Sequence, residues 1–318
     1  MRLRRRRDGD DMERLRAAYT VADDAGDRVE AERLAWLIVA ADPGARGFWF
    51  DLGLFAKRRR DWVESARLNA RALDGAPPDR DGNPAAWNLG IAATALGDWA
   101  SARRAWDRYG VDVPEGDGPL TMRLGMVPVR LNPTDTDLGA EPFEIDGVVH
   151  ETEVVWTERL SPGHARIVNV PLPESGHRYG DVVLIDGSPL GERFNGTSWV
   201  PVFNELALLE RSPLLTWTVQ VEAHEQADAQ ALSALADGRG LAAEDWTSSF
   251  QILCKACSEG RPGAHDHGQP EGSWRSARRF GVAGREEHVR ALLDDWASSG
   301  PGRQVGELGA FGDGPGSE

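Results

Sequence analysis

The sequence has few cysteines and no long apolar run, and each shortage argues against a class of protein. Two cysteines among 318 residues cannot form a disulfide scaffold, so a reducing cytoplasm is the expected location. No apolar run approaches the roughly 18 residues that span a bilayer, so no membrane partner is expected. The basic start, MRLRRRRDGDD, is not followed by an apolar segment, which predicts no secretory signal.

Basic charge is also scarce relative to acidic charge. The net charge of −15 predicts no nucleic-acid partner, because phosphates would be repelled. The run Arg4 to Arg7 is the contrary feature, and we interpret it as a solvated terminus. Lysine occurs only at Lys57 and Lys255 while Arg, Ala and Gly abound, a bias typical of a GC-rich bacterial genome. With 41% hydrophobic and 27% charged residues, the chain is expected to be globular, and it is long enough for two domains.

A helical repeat is the clearest pattern that is present. The stretch from Asn83 to Pro114 reads NPAAWNLGIAATALGDWASARRAWDRYGVDVP. Gly97-Asp98 predicts a turn between two helices, because glycine accepts backbone conformations that other residues resist. Small residues such as Gly90 suit a close approach of the two helix backbones. The marks of the frame are Leu89, Gly90, Ala93, Gly97, Trp99, Ala102, Trp106 and Pro114.

The same frame recurs upstream, 37 residues earlier if Leu52 is aligned with Leu89 (89 − 52). There Arg60 replaces the turn glycine and Ser65 takes a small position. The other matching residues are Trp49, Leu52, Gly53, Ala56, Trp62, Ala72 and Pro77. Further upstream the second half of the frame is kept by Gly26, Ala31, Ala35, Ile38 and Pro43. One helix pair cannot bury its apolar faces alone, so stacked neighbours are expected.

This frame resembles the tetratricopeptide repeat (TPR), a helix-turn-helix unit of about 34 residues. The resemblance implies three repeats, at about 12–45, 46–82 and 83–116, that form an all-α superhelix over residues 12–116. It also implies an interaction scaffold without chemistry. In this family the first helix of each repeat lines a concave groove. The groove residues implied here are Phe50, Asp51, Leu54, Trp87, Asn88 and Ile91.

The occupant of that groove stays open between two alternatives. An apolar concave face receives another protein or peptide, or it seats the chain's own C-terminal domain. Repeats of this family that clamp a peptide carboxylate pair Lys or Arg with Asn at the groove, and only Asn88 matches that pattern. The whole chain resembles bacterial TPR proteins that carry a C-terminal α+β region.

After Pro114 the periodicity changes from helical to alternating, which predicts an α+β fold class. We expect a small, mostly antiparallel β sheet or barrel over 120–208, with a hairpin turn at Asp186-Gly187. The order β-α-β-β-α over 212–298, with one strand at 248–254, predicts a small ferredoxin-like unit. The Gly- and Pro-rich tail, 299–318, is expected to be disordered.

The sharpest local signal for a cofactor is a C-x-x-C pair followed by H-x-H. Cys254, Cys257, His265 and His267 could supply the four N and S ligands of a structural zinc ion. The alternative is a pair of reduced thiols beside a solvated loop. A redox role is disfavoured, because the segment SEGRPG after Cys257 cannot begin the helix that lowers a thiol pKa in thioredoxin-like motifs.

A second polar run could bind an anion or perform acid–base chemistry. It gathers Glu174, His177, Arg178, Tyr179 and Asp181 in eight residues, 174 to 181. The competing interpretation is a hydrogen-bonded loop between strands.

These patterns lead to three functional hypotheses. The first is a non-enzymatic protein-binding scaffold with a zinc-stabilised C-terminal part. The second is a metal-dependent or acid–base enzyme built from residues 174–181 and 254–267. The third is an immunity or chaperone-like protein that masks one partner.

Overall fold

The computed structural model describes residues 2–76, 80, 82–133, 145, 147–195, 197–249 and 274–311. The fold is mixed α+β, as the sequence predicts. The chain divides into two compact units, a helical unit up to Met122 and a β-rich unit from Arg123. Apart from residues 120–122, the two domains expected at 120–208 and 212–298 therefore both fall within the β-rich unit.

The described part of the helical unit contains six α-helices. They are α1 (Arg2–Asp24), α2 (Arg28–Ala41), α3 (Arg46–Arg58), α4 (Trp62–Ala72), α5 (Pro84–Ala95) and α6 (Trp99–Tyr109). Each helix packs against the next, so α1/α2, α3/α4 and α5/α6 form three consecutive pairs. The first two pairs share one apolar core, which includes Leu34, Leu52, Phe55 and Leu68. The N-terminal part is thus a region of helical repeats.

The turns within the three pairs have the same construction. Each turn residue has a positive φ: Gly26 at 70°, Arg60 at 57° and Gly97 at 68°. The aspartate after it caps the second helix by accepting a hydrogen bond from the backbone N–H three residues later. These caps are Asp27, Asp61 and Asp98. Arg60 therefore adopts the left-handed backbone that glycine adopts at the equivalent positions of the other two pairs.

Glycine at the small positions of the frame is explained by close helix packing. A Cβ added to Gly90 would lie 2.7 Å from the Trp106 ring, and one added to Gly53 would lie 2.5 Å from the Asn69 amide. Both contacts join residues 16 apart in sequence (106 − 90 and 69 − 53). The second and third pairs therefore bring their helices together at the same point of the frame.

The β-rich unit begins with a closed five-stranded barrel. Its strands are β1 (Met126–Leu131), β2 (Glu153–Arg159), β3 (His164–Ile167), β4 (Val182–Phe194) and β5 (Trp199–Glu210). Consecutive strands pair antiparallel, and β1 closes the barrel by pairing parallel with β5. The apolar interior includes Val129, Leu131, Val155, Ile167, Val183 and Phe203.

The prediction of a hairpin at Asp186 and Gly187 is wrong. Strand β4 continues through both residues, and the connection to β5 lies at 195–198. Between Ile185 and Pro189 four steps along β4 face only two steps along β5, which defines a bulge. The Asp186 carboxylate accepts the Gly187 N–H at 2.6 Å, so the Asp-Gly pair bends a long strand and does not reverse it.

A four-stranded antiparallel sheet follows, in the order β7-β8-β6-β9. The elements are β6 (Leu215–Glu222), α7 (Gln226–Asp237), β7 (Ala242–Asp245), α8 (Trp246–Ser249), β8 (Ala277–Gly284), α9 (Glu286–Ser298) and β9 (Gln304–Phe311). The helices α7 and α9 share one apolar core with the sheet, through residues such as Leu232, Leu292, Val219 and Phe280.

Of the strand predicted at 248–254, only residues 248 and 249 are described, and for these two the prediction is wrong because they belong to α8. The described strand before them is β7, which ends at Asp245. The buried Trp246 indole N–H donates to the Val170 carbonyl at 2.9 Å and fixes the chain just after β7. The remainder, 250–254, lies outside the described residues.

The expectation of a disordered tail over 299–318 is wrong for residues 304–311, which form β9, while 312–318 lie outside the described residues. Val305 pairs with Val221 and Leu308 pairs with Val219 on the edge of β6. The Gly and Pro content of the tail led to the expectation, but an open strand edge supplies backbone partners that local composition does not reveal.

Candidate functional site

The predicted groove residues differ in how far the chain buries them. Phe50, Asp51 and Leu54 on α3 are half-buried. On α5, Asn88 is 5% exposed and Ile91 is fully buried by the chain itself. Of these five residues, the ones that stay partly accessible are therefore on α3.

Trp87 is half-buried, and its ring contacts lie within its own helix pair. Its ring lies 5.1 Å from Trp106 and 4.6 Å from Tyr109, both in edge-to-face geometry. Trp87 therefore takes part in the packing of α5 against α6.

Polar contacts link the first helices of successive pairs. The Lys57 ammonium donates to the Asn88 side-chain oxygen at 3.2 Å, which joins α3 to α5. Burial raises the pKa of Asp51, and a hydrogen bond from Tyr19 opposes that rise. The pKa of Tyr19 is also raised, first by burial and then by the Asp51 charge. Asp51 is thus already engaged by α1.

The polar run at 174–181 is divided by the fold. Glu174 is exposed, whereas His177 and Asp181 are buried. Arg178 reaches the Ser212 carbonyl at 3.4 Å, and Tyr179 packs against the apolar cluster around Trp246. The structure therefore brings only two of the five predicted side chains into one buried site.

Asp181 anchors that site by accepting several hydrogen bonds. Its Oδ2 lies 3.3 Å from His177 Nδ1 and accepts from Arg211 at 3.1 Å. The same oxygen accepts the Arg178 N–H at 3.0 Å, and Oδ1 accepts the Ser212 N–H at 2.7 Å. These contacts supply the hydrogen bonds that a buried carboxyl group requires.

Glu205, on β5, completes the arrangement from the other side of the imidazole. Its Oε1 lies 3.2 Å from His177 Nε2, although the atoms are not aligned for a hydrogen bond. Its Oε2 accepts the Asn132 N–H at 3.0 Å. We call Asn132, His177, Asp181, Glu205 and Arg211 the polar cluster. Glu205 is not among the predicted site residues. The feature of the sequence that could have indicated it is an acidic residue, two positions after Phe203, within a largely apolar strand.

The polar cluster sets the charge of its histidine. Burial disfavours the imidazolium, but the charge of Glu205 and the hydrogen bond with Asp181 outweigh burial and raise the pKa of His177 to about 9. Since both carboxylates and the ring are buried, this arrangement presents no acid–base group to a substrate.

A second pair of carboxyl groups accepts hydrogen bonds from the loop after β3. Glu153 accepts the Leu172 N–H and Glu244 accepts the Val170 N–H, each at 2.9 Å. Burial, with a smaller effect of the Glu244 charge, raises the pKa of Glu153 to about 7. The contact between Glu244 and Val170 also ties the sheet to the barrel within the β-rich unit. This pair has no sequence signature, because its members come from β2 and β7.

Another buried histidine lies beside a hydroxyl group. His164 Nδ1 lies 2.6 Å from the Ser161 hydroxyl, and both residues are buried. Burial, together with the Arg166 charge, lowers the pKa of His164 to about 4, so its ring is neutral near pH 7. His164 therefore contrasts with the charged His177.

The predicted zinc ligands Cys254, Cys257, His265 and His267 lie outside the described residues. Within the described ranges, no group of three or more His, Cys, Asp and Glu side chains is arranged to hold a metal ion. Across the same part of the chain, no helix combines the length and the apolar character that crossing a bilayer requires.

Comparisons with known proteins add little to this description of the structure. No protein-family model matches the chain. No curated protein matches it either. Among solved structures, it is similar to a mutant of the O-GlcNAc transferase of Thermobaculum terrenum, with 24% identity and a TM-score of 0.27. The match covers 32% of this chain and 20% of that one, so the chain spans about a fifth of that protein's length. At that TM-score the similarity carries no argument about function.

Proposed function

We propose that this chain is a non-enzymatic protein-interaction scaffold whose three helix pairs are tetratricopeptide repeats forming a superhelix. The observation that carries the proposal is the turn construction shared by Gly26, Arg60 and Gly97, each followed by a capping aspartate. The equivalent close contacts at Gly53 and Gly90 support the same frame. Stacked repeats present extended surfaces whose usual role is to bind other proteins.

The partner in this proposal is a protein or peptide that contacts the accessible part of the groove. Phe50 and Leu54 on α3 offer apolar surface, and Lys57 offers a positive charge beside them. The competing occupant is the chain's own C-terminal part, and an immunity or chaperone-like role would use the same surface. We place the protein in the cytoplasm, with neither nucleic acid nor membrane as partner.

The β-rich unit would then serve as a folded accessory to the repeats. Apart from the four-residue helix α8, the described elements of its second sheet follow the order β-α-β-β-α-β, which supports a ferredoxin-like unit. We retain a structural zinc ion on Cys254, Cys257, His265 and His267 as part of the proposal. The enzyme hypothesis loses support, because the acid–base groups at His177 and Asp181 are buried and already bonded to each other.

Site-specific photo-crosslinking tests the scaffold. A photoreactive residue at Leu54 should give a discrete cross-linked product with a second polypeptide in cells of the native host. The matched control is Val63 on α4, which is 66% exposed and outside the predicted groove. The substitution Phe50→Glu should remove the Leu54 product, because a buried charge would oppose docking.

The mass of the product separates the alternatives. A product joined within one chain would show that the C-terminal part occupies the groove. Equal products from Leu54 and Val63, or none from Leu54, would contradict the scaffold proposal.

A further inference from the structure

The loop after β3 is bonded to the sheet at a single residue, Val170. The Val170 N–H donates to the Glu244 carboxyl group on β7, and its carbonyl accepts the indole N–H of Trp246, directly after β7, each at 2.9 Å. Trp246 is fully buried and packs with Val170 in one apolar cluster. The sheet therefore holds this loop through one carboxyl group, one indole and a small apolar contact.

The barrel holds the same loop through strand β2. The Val168 N–H donates to the Trp156 carbonyl at 3.0 Å, and the Asn169 side chain accepts the Trp156 N–H at 2.9 Å. Farther along the loop, the Leu172 N–H donates to the Glu153 carboxyl group at 2.9 Å. Since Trp156 and Glu153 both belong to β2, the segment 168–172 is a bridge between β2 of the barrel and β7 of the sheet.

The two glutamates of this bridge lie near each other. They accept the N–H groups of Val170 and Leu172, which are at most about 7 Å apart, because two residues of extended chain span no more than that. Both glutamates are partly removed from water. Two carboxyl groups held in this way resist ionising together, because their like charges repel each other. The bridge therefore favours a state in which at least one of the two keeps its proton.

The surroundings identify Glu153 as the group that keeps the proton. Burial, with a smaller effect of the Glu244 charge, raises the pKa of Glu153 to about 7. Three groups oppose this rise: the Leu172 N–H, the Ser175 hydroxyl and the charge of His177. On β4, burial lowers the pKa of Arg193, and the charges of Glu244 and Glu153 oppose that effect. Because the pKa of His177 is raised to about 9, neither this imidazole nor Arg193 changes its charge near pH 7.

We propose that Glu153 and Glu244 form a pH-sensitive clasp that holds the sheet to the barrel and opens when both are ionised. On opening, the segment 168–172 leaves β7, and the proton of Glu153 passes to solvent. An exposed carboxyl group of this type ionises near pH 4.5, so the closed clasp binds the proton more tightly than the open one. Closure is therefore strongest below about pH 4.5 and is lost as the pH rises through 7. The clasp lies within the β-rich unit and does not depend on the proposed scaffold role of the repeats.

Amide hydrogen exchange of the full chain at several pH values tests the clasp. After correction for the intrinsic pH dependence of exchange, protection of the segment 168–172 should fall by about tenfold or more between pH 5 and pH 8. Strand β1, at 126–131, should keep its protection, because the barrel itself stays closed. This comparison needs no substitution. Equal protection of 168–172 at both pH values, or a parallel loss in β1, would overturn the proposal.

The variant Glu153→Gln separates the clasp from a general effect of pH. Its amide oxygen can still accept the Leu172 N–H, but the side chain cannot ionise, so protection of 168–172 should be the same at pH 5 and pH 8. Glu158→Gln is the matched control, because it removes another carboxyl group of β2, which lies 3.9 Å from Arg166. The control should keep the pH dependence of the unmodified protein. A Glu153→Gln protein that still loses protection at pH 8, or a control that loses the pH dependence, would also overturn the proposal.

Discussion

The packing of α5 against α6 and the polar cluster of the β-rich unit bury opposite kinds of side chain. Between α5 and α6 the Trp106 ring lies against Gly90, and the contact is apolar. In the polar cluster, Asp181, His177 and Glu205 are equally buried but are ionisable groups that lie next to one another. The packing of α5 against α6 is stabilised by the burial of apolar surface and by complementary shape. The stability of the polar cluster depends on each ionisable side chain keeping its partner.

The two regions also differ in the sequence distance that separates the residues in contact. Gly90 and Trp106 are 16 residues apart (106 − 90), within one helix pair. The bond from Asn132 to Glu205 spans 73 residues, and that from Ser212 to Asp181 spans 31. Local spacing therefore specifies the helical contact, whereas the charges meet only once the barrel has closed.

The largest expected effect comes from removing a charge from the polar cluster. Asp181→Asn should destabilise the β-rich unit by about 3–5 kcal/mol, because Arg211 and His177 would lose a buried counter-charge. The new amide would also point N–H groups at existing donors. Hydrogen exchange measured by mass spectrometry should show faster exchange at 175–181 while the helical unit keeps its protection. Asp237→Asn, at an exposed position, is the control.

Overpacking the helical interior should have the next largest effect. Gly90→Leu should cost about 1–3 kcal/mol or more, because even a Cβ would lie 2.7 Å from Trp106. Urea unfolding and exchange protection at 85–106 would report it. Gly47→Ala on α3 meets open space and should not destabilise the protein. Equal stabilities of the two variants would contradict the close packing.

Glu153 provides a pH-dependent test within the β-rich unit. Its pKa rises from 4.5 to about 7 in the folded state, so the fold binds this proton more tightly than the unfolded chain. Stability from this group is therefore full below about pH 4.5 and is lost as the pH rises through 7. Glu153→Gln should stabilise the protein at pH 8 by on the order of 1–3 kcal/mol and have little effect at pH 4.5. Urea unfolding at both pH values checks this, and a pH-independent effect would contradict it.

The sequence predicted local features well and distant ones poorly. Gly97-Asp98 and the frame around Gly90 were visible because helix pairs repeat at fixed spacing. The role of Glu205 was not visible, since its partners, just after β1 and in the loop before β4, are far away in sequence. The hairpin predicted at Asp186-Gly187 was wrong because the same dipeptide suits both a turn and a bulge. The tail strand β9 was missed because β6 supplies its partners.

The smallest expected effect concerns the one turn that departs from glycine. Arg60 has φ 57°, a conformation that costs a residue with a Cβ roughly 1–2 kcal/mol relative to glycine. Arg60→Gly would relieve that strain but also give the unfolded chain more freedom, which offsets part of the gain. The variant should therefore be more stable by about 0.5–1 kcal/mol in urea unfolding. The reciprocal change, Gly97→Ala, introduces a Cβ at φ 68° and should destabilise by a similar amount. A less stable Arg60→Gly protein would show that the contacts of the Arg60 side chain outweigh its backbone strain, and the three turns would then not be energetically equivalent.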